Sequence, residues 1–314
     1  MMSIASRCVE TESSHVLIMI MNPNNPRSPI PSEHIAPPTS APIDGNRPCG
    51  ESIITVAGLM IKFGPRTVLN SITFSVPRCK TTVIIGASGC GKSTLLKLMV
   101  GYLKPDAGQI LYDGADITTM DDDQLDPVRK RFGILFQNGA LFNSMTVGEN
   151  VALPLVEHTN LDSKIIRMIV KMKLELVGLR GFEDLKPAQI SGGMKKRVGL
   201  ARAIALDPEI VYYDEPSAGL DPITAAVIDD LMVDLSHKLN ITSVVVTHHM
   251  DSAFKIADNI IMLHGGRIIA QGAPDAFRRS ADPLIRQFVE GLADGPVPFQ
   301  MSADDYIQDL LQVN

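Results

Sequence analysis

The chain has 314 residues, 45% hydrophobic and 20% charged, with a formal net charge of −6. That length buries a core without disulfide or metal staples, and the acidic balance argues against nucleic acid as the main partner. No apolar run approaches the roughly 20 residues needed to span a bilayer. The longest near the N-terminus, Val16 to Met21, is too short for a signal-peptide core, so a cytoplasmic protein is expected. Cys8, Cys49, Cys79 and Cys90 show no pairwise spacing of a zinc or redox motif; free thiols in a reducing compartment are expected.

Residues 22–50 hold eight prolines in 29 positions, mixed with Ser, Asn and Thr. Such a stretch buries too little apolar surface to offset its chain entropy, so residues 1–50 read as a disordered arm. From Ser52 the texture changes to short β-rich runs, Ile53 to Val56, Thr67 to Val76 and Thr81 to Ile85. Strands then alternate with helices to about Gly272, the pattern of an α/β domain, assigned to residues 51–291. Residues 139–190 lack β-rich runs and contain the helical-looking Ser163 to Val177, which predicts a helical subdomain inserted into the core. The triple Asp121-Asp122-Asp123 reads as a solvated helix start. His264-Gly265-Gly266-Arg267, between two apolar runs, signals a hairpin. In the tail, residues 292–314, the stretch Ser302 to Leu311 has the pattern of a short helix.

Gly86-Ala87-Ser88-Gly89-Cys90-Gly91-Lys92-Ser93 matches G-x-x-x-x-G-K-[ST] at every fixed position. An apolar strand precedes it and a helical run, Ser93 to Val100, follows, the context a phosphate loop requires. Glycines let the backbone aim successive N–H groups at phosphates, and the helix N-terminus, with Ser93 and Thr94 in its first turn, adds a favourable dipole. Lys92 is expected to reach the β/γ-phosphates of ATP, and the Ser93 hydroxyl to ligate Mg²⁺. Cys90 occupies a variable position and reads as a small neutral residue.

Ile210-Val211-Tyr212-Tyr213-Asp214-Glu215 is an apolar strand closed by two carboxylates. Strand alternation sends adjacent side chains in different directions, so the pair divides its work. Asp214 suits the Mg²⁺ side, and Glu215 suits the general base that polarises the attacking water.

Ser191-Gly192-Gly193-Met194-Lys195-Lys196-Arg197 opens a helical stretch that runs to Ala205. It resembles the signature motif of ATP-binding-cassette (ABC) ATPases. The resemblance implies an ABC-type P-loop fold with an inserted helical subdomain and an N-terminal antiparallel β subdomain. It also implies a homodimer in which Ser191, Gly192 and Gly193 cover the nucleotide held by the opposite subunit. Gln137, in Leu135-Phe136-Gln137, resembles the Q-loop glutamine that senses Mg²⁺ and water. Ser217-Ala218-Gly219-Leu220-Asp221 resembles the D-loop, and His248, after Thr242 to Val246, resembles the switch histidine. Phe63 stands where the family stacks an aromatic ring on adenine. Cys79 departs from the family, which commonly has glycine at that turn.

A narrower resemblance follows Gln137, in Gly139 to Val147, Asn150-Val151 and Glu157-His158-Thr159. With Ser191 to Met194 and Asp282 to Phe288, it is similar to the ATPase subunit of Mla/Mce-type lipid transport systems. That implies membrane permease subunits and a lipid-binding envelope protein as partners, with the ATPase peripheral on the inner face of the cell membrane. The alternatives are the ATPase of an importer for another solute, such as amino acids, and a non-transport ABC ATPase. The latter families carry two cassettes or a long coiled-coil insertion, whereas only 99 positions separate Lys92 from Ser191.

Overall fold

The computed structural model describes residues 49–296; the arm up to residue 48, Cys8 included, and the helix expected at Ser302 to Leu311 lie outside the described residues. In chain order the elements begin with β1 (Ser52–Phe63), β2 (Arg66–Pro77), β3 (Thr81–Gly86) and α1 (Lys92–Met99). Next come β4 (Ala107–Tyr112), β5 (Ala115–Asp116), α2 (Asp122–Arg129) and β6 (Phe132–Leu135). The chain is then helical without a strand, through α3 (Val147–His158), α4 (Ser163–Leu176), a 3-10 turn (Pro187–Gln189) and α5 (Gly192–Ala203). It continues with β7 (Ile210–Asp214), α6 (Pro222–Leu239), β8 (Thr242–Val246) and α7 (Met250–Ile256). β9 (Asn259–His264), β10 (Arg267–Gly272), α8 (Pro274–Arg278) and α9 (Pro283–Glu290) complete it.

Two sheets form. The first is antiparallel, in the order β2-β1-β4-β5; the second runs β10-β9-β3-β8-β7-β6. In the second, β9, β3, β8, β7 and β6 are parallel, and only β10 is antiparallel. Its central strands β3 and β8 are buried along their whole length because both faces are covered. Ile84, Tyr212, Val244 and Ile261 pack toward the antiparallel sheet and α1. Val83, Tyr213, Val245 and Ile260 pack on the opposite face, against α3, α5 and α6. The parallel pairing brings the ends of β3, β7 and β8 to one edge of the core, where the candidate site residues sit.

Local chemistry sets the helix starts. Asp121 caps α2 in a capping box with Gln124, Thr146 does the same for α3 with Glu149, and Asp221 accepts from the backbone of Ile223 and Thr224 ahead of Pro222. The β9–β10 hairpin turns through Gly265 and Gly266, both at positive φ, with His264 paired to Arg267, as a two-residue loop demands. No helix among the described residues is long and apolar enough to cross a membrane.

Two expectations need correction. The first strand extends to Phe63, well past Val56, because Gly58, at φ 60°, is absorbed as a bulge that shifts the register between Val56 and Leu59. And Cys49 and Cys79 are not free thiols: they are bonded, with Cα atoms 5.5 Å apart. The cause is the hairpin. Ser52 pairs with Pro77, so residues just before β1 and just after β2 meet at the same end. Cys79 takes the left-handed conformation, φ 55°, that explains glycine's usual place in such a turn.

At that same end lies a buried charge network. Asp113, 1% exposed in its side chain, accepts from Arg78 and, at 2.9 Å, from Arg131. Arg131 also donates to Glu209 at 2.6 Å and lies over the ring of Tyr112. The network ties the turn after β4 to the N-terminal ends of β6 and β7, and so joins the two sheets.

Candidate nucleotide site

The loop between β3 and α1 is shaped by glycine. A Cβ at Gly86 would lie 2.3 Å from the carbonyl oxygen of Leu263, and one at Gly91, φ 104°, would lie 2.6 Å from Leu69 Cδ2. Lys92 is buried, and its ammonium donates to the carbonyls of Gly86 at 2.8 Å and Ala87 at 3.0 Å, which draws it across the loop. Ser93 Oγ donates to Asp214 Oδ1 at 3.2 Å. Cys90 is a free thiol whose pKa is raised, chiefly by burial; it stays protonated and unreactive.

The two carboxylates do diverge. Asp214 faces Ser93, and burial raises its pKa despite that hydrogen bond. Glu215, 8% exposed, takes φ 48° and turns to His248, whose Nδ1 lies 2.8 Å from Glu215 Oε1. The left-handed backbone is unfavourable for glutamate. It is held by a hydrogen bond from the Glu215 N–H to the Val246 carbonyl and by Lys196 Nζ on the Glu215 carbonyl at 3.0 Å.

These groups surround a cavity of about 550 Å³. Phe63 and Arg66 stand at one side, Ser88, Gly89 and Gly91 to Thr94 form its base, and Gln137, Glu215 and His248 close the other. Phe63 is half-exposed, with a ring face free to stack. The structure does not bring Ser191, Gly192 and Gly193 to this cavity. Ser191 instead caps α5, accepting from the Met194 N–H at 3.2 Å, and Ser191 and Gly192 are exposed. Gly193 is required by packing, since a Cβ there would meet Thr224 Cγ2 at 2.4 Å.

The architecture is that of a known family. The ABC transporter family model matches residues 69–218. The Escherichia coli (strain K12) intermembrane phospholipid transport system ATP-binding protein MlaF is 48% identical over 248 residues, 79% of this chain and 92% of that protein. The chain belongs to the ABC transporter family. It is an ATP-hydrolysing subunit. A relative from Mycobacterium leprae, the probable ribonucleotide transport ATP-binding protein mkl, is 42% identical over 83% of this chain and 75% of its own length. Among solved structures, a dimeric post-hydrolysis state of the ATP-binding cassette MJ0796 bound to ADP and Pi has a TM-score of 0.65 and 30% identity. It covers 70% of this chain and 98% of that one.

Three supporting residues escaped the sequence. Lys196, whose pKa burial pushes down to about 8, holds the Glu215 carbonyl. Arg202 donates to the carbonyls of Gly139 and Ala140, and Asn150, fully buried, holds Phe142 through both its N–H and its carbonyl. Both fix the segment that follows Gln137. A signal existed for Asn150: it interrupts the apolar face that Val147 and Val151 lay on α3.

Proposed function

We propose that this chain powers the movement of phospholipid, or a similar hydrophobic molecule, across the cell envelope through a separate permease. The 48% identity to a phospholipid transport ATP-binding protein over 92% of that protein carries the reading. The domain spans residues 51–291, with the helical subdomain at about 139–190 and a tail from 292.

In this reading ATP enters the cavity with its adenine on Phe63 and its phosphates on the N–H groups of Gly86 to Thr94, neutralised by Lys92. The oxygen donors of Ser93, Asp214 and Gln137 suit a hard divalent cation, and their neighbouring placement at the loop favours Mg²⁺, which neutralises phosphate charge. Glu215 accepts the proton of the attacking water; His248, hydrogen-bonded to it, orients the carboxylate and faces the γ-phosphate. Ser191, Gly192 and Gly193 lie outside the lining of their own cavity, which favours a homodimer in which each set covers the nucleotide of the partner subunit. The subunit is peripheral on the cytoplasmic face of the membrane, and a lipid-binding envelope protein completes the system.

The test is reconstitution of the chain with its co-purifying permease in proteoliposomes containing fluorescent phospholipid. MgATP-dependent phospholipid transfer, absent with Glu215→Gln, is expected. ATPase stimulation by a ribonucleotide or an amino acid with no phospholipid transfer would replace the cargo assignment.

A further inference from the structure

His249 is unaccounted for by the site as described. It occupies the N-cap of α7 without a side-chain capping bond, and histidine is not among the residues that cap well. Its ring instead lies against that of His248, with centroids 4.3 Å apart. One ligating atom from each of Glu215, His248 and His249 falls within 4.8 Å of the other two. Ligands on a tetrahedral ion at bond lengths of about 2.0–2.2 Å sit roughly 3.4 Å apart, so closing the set takes modest rotations of two exposed rings. The scaffold beneath them is fixed: the Glu215 N–H donates to the Val246 carbonyl, and the His249 N–H donates to Thr247 Oγ1 at 3.1 Å.

The donor set determines what it takes. Two imidazoles and one carboxylate favour zinc and its first-row neighbours over magnesium, whereas the oxygen-only set of Ser93, Asp214 and Gln137 has the reverse preference. Three protein ligands also leave a fourth position open. We infer that Glu215, His248 and His249 form a second cation site, for Zn²⁺ or a similar transition ion, whose occupation leaves nucleotide binding intact and stops hydrolysis. The inference rests on the assignment of Glu215 and His248 to the hydrolytic step. An ion ligated by the Glu215 carboxylate ties up the lone pair that would take the proton from water, while the phosphate loop lies outside the ligand set.

The experiment uses the full chain without nucleotide. Zn²⁺ is titrated in competition with a chromophoric indicator, and Co²⁺ absorption reports the coordination. One ion per chain is expected, with His249→Ala weakening it at least about tenfold, since even indirect supports of a metal ligand contribute that much. In the ATPase assay, Zn²⁺ should stop phosphate release by the wild type, with fluorescent-nucleotide binding retained. His249→Ala should hydrolyse MgATP at the wild-type rate and resist Zn²⁺. Equal Zn²⁺ affinity in wild type and His249→Ala, or equal inhibition of both, would overturn the inference. Because binding is read without nucleotide, a failure of the hydrolytic assignment would leave that measurement standing and be seen separately as unchanged turnover in Glu215→Gln.

Discussion

Replacing Glu215 by Gln separates chemistry from structure at a single atom. The amide is nearly isosteric, so it keeps the 2.8 Å contact with His248 Nδ1, and the Lys196 bond to the main-chain carbonyl does not involve the side chain. Backbone geometry and nucleotide affinity should therefore survive, and only proton acceptance is lost. A general base contributes about 10²–10⁴ in rate, or about 2.7–5.4 kcal/mol of barrier at about 1.36 kcal/mol per decade. Glu215 is only 8% exposed, which leaves little bulk water to substitute for it and places the loss toward the upper end. Phosphate release measured alongside fluorescent-ATP binding and sedimentation velocity should show near-normal binding, almost no turnover, and an ATP-dependent dimer. Turnover within about threefold of wild type would remove Glu215 from the base role.

At the opposite end of the core, Asp113→Asn keeps a residue that tolerates the left-handed backbone, φ 51°, but strips the charge facing the buried Arg78 and the partly exposed Arg131. Breaking such a pair costs about 3–5 kcal/mol, and urea unfolding should show that loss with kcat unaltered; a change under about 1 kcal/mol would count against the network. Non-reducing peptide mapping should recover Cys49 joined to Cys79, and reduction should lower stability by about 2–4 kcal/mol; two freely alkylated thiols would contradict it. Lys196 carries a pKa lowered from 10.5 to about 8, so between those values the unfolded chain binds the extra proton and stability rises with pH. Relative to Lys196→Met, the wild type should therefore gain stability from pH 8 to 10.5 in urea titrations; a flat difference would refute the shift.

Chemistry written at fixed spacing was legible in the sequence; chemistry made by pairing was not. The phosphate loop and the Asp214-Glu215 strand end announce themselves because the residues that meet there are adjacent in the chain. The helix from Ser163 and the Gly265-Gly266 hairpin follow from period and turn residues. By contrast, Arg78, Asp113, Arg131 and Glu209 meet only because two sheets are stacked in one register, and no local pattern encodes that. The Cys49–Cys79 bond is intermediate: once Thr67 to Val76 is paired with the run from Ile53, counting outward along the hairpin brings positions 49 and 79 to the same end, within one residue of facing each other. Close strand packing is equally silent in the sequence: a Cβ at Gly108 would lie 2.4 Å from the Gly58 carbonyl oxygen, so glycine is needed at 108.

The bond between Cys49 and Cys79 also has a practical side. It sits before the first residue of β3, and the phosphate loop begins at that strand's far end, six residues on, or about 20 Å at the rise of a strand. Anything grafted ahead of residue 49, such as a surface anchor, a fluorophore or a fusion partner, starts from the side of the molecule remote from the nucleotide. Immobilised through that point, the subunit would present its catalytic edge outward to whatever flows over it.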